Sequence, residues 1–171
     1  MKSLLAGLLL GALSTEVGAK PSVAVVDACL RTESASPKVR YTPIPTDAFQ
    51  VTEDEEAGKT STTLRHGLDT VGTWEMKKPR AFGLVFNGRE TPLARVTRLD
   101  KRKAPDVFNP YEAIWGEARE DSKSYFCATF NFDGVGKSGS FQNVRGLYLF
   151  ERSGRGRAMF YTAGNISVSE K

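Results

Sequence analysis

The chain reads as a mostly β protein: an antiparallel sandwich or partly open barrel of about six strands, with one short helix. Three observations predict this. Residues 122–163 hold nine of the seventeen aromatic residues, and their apolar residues come in short runs divided by glycine-rich turns. Within them Phe126, Ala128, Phe130 and Phe132 alternate with Tyr125, Cys127, Thr129 and Asn131. A period of two puts alternate side chains on opposite faces of a strand, so one face here is apolar. Third, Asn87-Gly88 separates two strand-like runs, residues 81–86 and 89–99. Both residues tolerate the left-handed backbone of a type I′ turn, which makes the pair a strong hairpin signal.

Residues 1–19 read as a secretory signal peptide. Lys2 precedes a short apolar run over residues 4–13, and Val17-Gly18-Ala19 offers a small-residue cleavage site. Ten apolar residues are half the roughly twenty that span a bilayer, and no later run approaches that length. The expectation is a mature chain of residues 20–171, a single antiparallel β domain without a transmembrane segment, secreted or periplasmic. Its two cysteines, Cys29 and Cys127, permit one internal pairing. In an oxidising compartment that predicts a disulfide tying the mature N-terminus to the aromatic strands.

Residues 21–30 are ambiguous, since Val23, Val26 and Leu30 have helical spacing while the β-branched content favours a strand. Residues 32–38 read as loop. Pro43 and Pro45 confine any strand over residues 40–51 to a sheet edge. Glu53-Asp54-Glu55-Glu56, closed by Gly58, reads as an acidic surface loop. A turn is expected at His66-Gly67, then a strand over residues 71–76 with Trp74 and Met76 on one face. Pro92 lacks an amide hydrogen, which makes the second strand of the Asn87-Gly88 hairpin an edge or a bulged strand.

Residues 110–119 are the best helix candidate. Pro110 suits a first helical position, Asn109 can cap, and Tyr111, Ile114 and Trp115 form an apolar stripe. Residues 143–152 and 157–163 complete a three-strand meander, with Gly154-Arg155 suited to a type II′ turn. Residues 165–171 read as a frayed tail, in which Asn165-Ile166-Ser167 fits an N-glycosylation acceptor.

Charge is the main functional signal. The chain carries 24 basic and 20 acidic residues and a single histidine. Residues 77–103 contain nine basic side chains against Glu90 and Asp100, and Arg152, Arg155 and Arg157 make a second basic group. The run from Asp133 to Ser140 superficially suggests a phosphate loop. Asn131 stands where that motif needs glycine, however, and the residues after it read as a strand where it needs a helix. Its glycine amides together with Lys137 suit a carboxylate or phosphate group.

One histidine and one disulfide do not compose the usual zinc ligand set, so neither a metal nor another cofactor is expected. His66 with Asp69 and Ser138 or Ser140 would form a triad only if the fold gathered them, and no strained G-x-S-x-G elbow marks either serine. Glu112, Glu117 and Asp133 are the candidates for an acid–base pair.

The function expected is non-enzymatic binding of an acidic macromolecule: an acidic protein, an anionic envelope glycan or a lipid headgroup. Lys137, Arg95, Arg98, Arg152, Arg155 and Arg157 are the binding residues, and an inhibitor or immunity-type protein is one concrete form. Nucleic acid is not expected, because export separates the chain from most of it and no base-stacking or groove-reading motif accompanies the charge. The alternatives are a small exported hydrolase using His66 or a carboxylate pair, and a structural component of the cell envelope.

Overall fold

A computed structural model describes residues 20–101, 104–131, 144–152 and 158–165. Their residues form two packed sheets and one helix, without barrel closure. The first sheet has the order β1-β8-β9-β10-β11-β7, from β1 (Val39–Ile44), β7 (Thr97–Arg98), β8 (Ile114–Glu120), β9 (Lys123–Asn131), β10 (Val144–Glu151) and β11 (Met159–Asn165). All its pairings are antiparallel except β11 with β7. The second sheet is an antiparallel meander of β2 (Gln50–Glu56), β3 (Lys59–His66), β4 (Asp69–Met76), β5 (Ala81–Phe86) and β6 (Arg89–Pro92). The expected mostly β sandwich is therefore present, with eleven strands among the described residues instead of about six.

One of the extra strands comes from a polar segment. Residues 53–56 form no loop; they are half of β2, an edge strand exposed along its whole length. Its backbone pairs fully with β3, from Gln50 with Arg65 to Glu56 with Lys59. Edge strands are commonly charged because charge discourages pairing with other chains, and such a strand lacks the apolar alternation by which strands are read.

The helix lies elsewhere than residues 110–119. Asn109 does organise a turn, accepting the Tyr111 amide on its side chain at 3.1 Å and the Ala113 amide on its carbonyl at 3.2 Å. The turn does not propagate, and residues 114–120 continue as β8 between β1 and β9. Trp115 and Ala118, three apart, then face opposite layers: Trp115 enters the core between the sheets and Ala118 the layer beneath the helix. Two full ladders of pairing outweigh a local helical preference, which is a weak prior.

The helix α1 (Val23–Arg31) resolves the ambiguity of residues 21–30. Ser22 caps it, accepting the Val25 amide at 3.2 Å and donating to Glu120 at 2.8 Å. Val25, Ala28 and Cys29 are buried against the outer face of the first sheet with Val39, Tyr41, Ala118, Tyr125, Cys127, Leu147, Leu149 and Phe160. The disulfide between Cys29 and Cys127 joins helix to sheet, with Cα atoms 5.7 Å apart. Beside it Thr129 donates to the Cys29 carbonyl at 2.8 Å. The strand β9 is thus buried on both faces, whereas its alternation predicts one apolar face. Phe126, Ala128 and Phe130 line the core between the sheets, where they meet Leu64, Val71, Leu84 and Phe86.

Other expectations match. Asn87 and Gly88 both have positive φ, 49° and 75°. Pro43 lies on the edge strand β1 and Pro92 on the edge strand β6, and Gly67 turns β3 into β4 with φ 62°. Trp74 lies on the outer face of the second sheet, over Gly83. Phe132, residues 133–140, expected as a loop, and Gly154-Arg155, expected as a turn, fall outside the described residues, as do residues 1–19, expected as a signal peptide, and residues 166–171.

Candidate functional site

Of the six basic residues singled out by sequence, Lys137, Arg155 and Arg157 lie outside the described residues. Arg95 and Arg98 are exposed. Arg95 ends the short 3₁₀ turn Leu93–Arg95, and Arg98 ends β7. These elements follow β6 directly, so the two arginines sit where the edge strand of one sheet passes to the edge strand of the other. Lys101 is exposed just beyond them. Neither Arg95 nor Arg98 has a carboxylate partner among the described residues.

Arg152 is differently placed. Its guanidinium crosses from the first sheet to Asp69 on the second, with Nη2 2.7 Å and Nε 2.9 Å from Oδ2, and also bonds Glu117. It lies 4.6 Å from the centroid of the Phe126 ring. Asp69 is held from its other side by the Asn87 amide at 2.8 Å. Arg152 therefore fastens the two sheets, and its charge is satisfied within the chain. No sequence signal distinguishes it from Arg95, because its partners are 83 and 35 residues away.

His66 has one hydrogen-bond contact among the described residues, Nδ1 at 3.5 Å from the Ala48 carbonyl. Its ring packs on Phe49 at 5.4 Å and edge-on to Phe126 at 6.2 Å. Asp69 is its ladder partner on β4, but that carboxylate is already held by Arg152 and Asn87. Glu117 is bound to Arg119 at 2.9 Å as well as to Arg152, and Glu112 is exposed. Ser138, Ser140 and Asp133 lie outside the described residues. No group of three or more His, Cys, Asp or Glu side chains among those residues is arranged to hold a metal ion.

The sequence did not single out the cleft at the far end of the second sheet. Ladder register puts Glu53, Thr62, Thr73 and Leu84 in one row of the inner face, and Glu55, Thr60, Glu75 and Phe82 in the next. Residues 104–110 cross this surface as a strap. Tyr148 donates to the Asp106 carbonyl at 2.6 Å and Trp115 Nε1 to the Pro110 carbonyl at 2.9 Å. Phe108 stacks on Phe130 at 5.2 Å. Between strap and sheet is a cleft of about 150 Å³, with Thr60, Thr62, Thr73, Glu75, Phe82 and Asp106 among its walls and no cationic residue among its described lining residues. Outside it, Tyr111 donates to Glu53 at 2.6 Å, which raises the phenol pKa. On β3, Thr60 and Thr62 alternate with Ser61 and Thr63, a period of two with no apolar face, so sequence alone had nothing to mark as a wall.

No family model, no curated protein and no solved structure matches this chain.

Proposed function

We propose that this is an exported, non-enzymatic binding protein that recognises an acidic macromolecule through the flank carrying Arg95 and Arg98. One observation carries the reading: two exposed arginines, three apart, stand on the flank shared by both sheets without a carboxylate partner among the described residues. Arginine presents a planar fork of donors suited to carboxylate, sulfate or phosphate groups. The disulfide and the signal-like residues 1–19 support export, and among the described residues no helix is long and apolar enough to cross a membrane. An inhibitor or immunity-type protein, docking on an acidic patch of another exported protein, is the form this reading favours.

Capture of poly-L-glutamate and dextran sulfate by the immobilised chain tests it. Retention should fall steeply between low ionic strength and about 0.15 M salt, where the screening length drops to roughly 8 Å. The double variant Arg95→Glu/Arg98→Glu should abolish capture without altering the fold, since both side chains are exposed. Salt-independent capture, or undiminished capture by the double variant, would refute the assignment to this flank.

A further inference from the structure

We propose that the cleft beneath the 104–110 strap is a second binding site, of opposite sign, that accepts an organic cation: an ammonium or guanidinium group on a short apolar stem. The charge argument comes first. Glu75 and Asp106 line the cleft, and no lysine or arginine is among its described lining residues; on the same sheet face Glu53 accepts from Tyr111 and Glu55 lies 3.9 Å from Lys77. Ionised carboxylates only accept hydrogen bonds, and the threonine hydroxyls both donate and accept. The ligand complementary to the two lining carboxylates is a positively charged donor.

The walls narrow the class. Phe82, Val107, Phe108, Leu84 and Leu93 give the cleft apolar surface, against which charge–charge attraction is screened less than in bulk water. A bare metal ion wants several convergent oxygen ligands, and the described residues offer no such group. A delocalised or alkylated cation, by contrast, gains from aromatic faces. The chain itself shows the geometry at the edge of the cleft: the Arg80 guanidinium carbon lies 5.3 Å from the centroid of the Phe82 ring. Arg80 is exposed and stands at the rim beside this ring, a cation that an incoming guanidinium would meet there. At about 150 Å³ the cleft takes the end of a side chain, being well below the roughly 300–1,000 Å³ of pockets for drug-sized ligands. The cation is either the tip of a partner protein's arginine or lysine, or a free small amine or guanidine.

The test is titration of the full chain with n-butylguanidinium, n-butylammonium and butyrate, followed by amide NMR shifts. The two cations should give saturable shifts at Thr60, Thr62, Thr73 and Val107, and butyrate none. Glu75→Gln, an exposed and isosteric change, should weaken the cations at least tenfold. Arg80→Ala should tighten butylguanidinium several-fold by removing a competing charge beside the Phe82 ring. A doubly capped Gly-Arg-Gly peptide separates the two sources: tighter binding than butylguanidinium assigns a partner's side chain, equal binding a free small cation. Equal shifts from butyrate, no saturation with either cation, or an unchanged affinity in Glu75→Gln would overturn the proposal. Polyanion capture by Arg95 and Arg98 is read separately, so either site can fail without the other.

Discussion

Arg152 Nη2 lies 2.7 Å from Asp69 Oδ2, and this ion pair joins the end of β10 in one sheet to β4 in the other. Both side chains are largely shielded, at 26% and 14% exposure, so the interaction is not of the freely solvated kind that contributes little. Removing one member leaves the other partly buried without its counter-charge, which is the costly case. Arg152→Met should therefore destabilise the protein by about 2 kcal/mol in denaturant unfolding, and Arg152→Lys by less. Polyanion capture by the folded Arg152→Met variant should stay within about twofold of the parent chain. Loss of capture with unchanged stability would return Arg152 to the binding surface.

The tyrosines make a second prediction. Burial raises Tyr41, Tyr125 and Tyr161 to about 12 and pushes Tyr148 up further, while the Glu53 hydrogen bond raises the exposed Tyr111. These are all five tyrosines of the chain. In the unfolded chain a phenol ionises near 10. Between about 10 and 12 the unfolded state thus binds fewer protons than the folded state, so stability falls as pH rises through that window and is unaffected below it. Phenolate absorbance and far-ultraviolet circular dichroism should change together above pH 10. A substantial phenolate signal near pH 10 in a chain that is still folded would contradict the burial described.

The third concerns the close approach of Gly146 to Phe130, which are ladder partners on β10 and β9. A Cβ on Gly146 would come within 2.3 Å of the Phe130 ring, which is itself stacked on Phe108 and Tyr148. The ring has no free direction to move, so Gly146→Ala overpacks the core and should cost about 1–3 kcal/mol. Phe130→Leu supplies the check. If the clash is with that ring, the double variant should be less destabilised than the sum of the two singles. Additive losses would place the strain elsewhere.

How much of this was legible in the chain depended on where each residue's partners lay. The β9 alternation, the Asn87-Gly88 turn and the edge positions of Pro43 and Pro92 follow from local rules, and the structure has all of them. The helix was misplaced because Pro110, Asn109 and Trp115 satisfy local helix rules, while the pairing of residues 114–120 with β1 and β9 is not a local property. The burial of Tyr125, Cys127 and Thr129 depends on α1 lying across β9, about a hundred residues away in sequence. The cleft was hidden for the same reason. Its threonines and carboxylates become a surface only when four strands are in register and the 104–110 strap crosses them.

The disulfide carries the last prediction. Cys29 and Cys127 are 98 residues apart, and in the chain-entropy account closing so long a loop stabilises the fold by roughly 4 kcal/mol or less. The hydrogen bond from Thr129 to the Cys29 carbonyl holds the same contact without a covalent link. The two can be separated. Cys29→Ala/Cys127→Ala should lower the unfolding free energy by a few kcal/mol and raise the denaturant slope, because the open unfolded chain exposes more surface. Thr129→Val should cost about 1 kcal/mol with the slope unchanged. Reductant should lower the parent chain to about the level of the double alanine variant and leave that variant untouched. If α1 drew its place mainly from burying Val25 and Ala28, the double variant would keep nearly the full stability of the parent, and the bridge would be a passenger on a helix already docked.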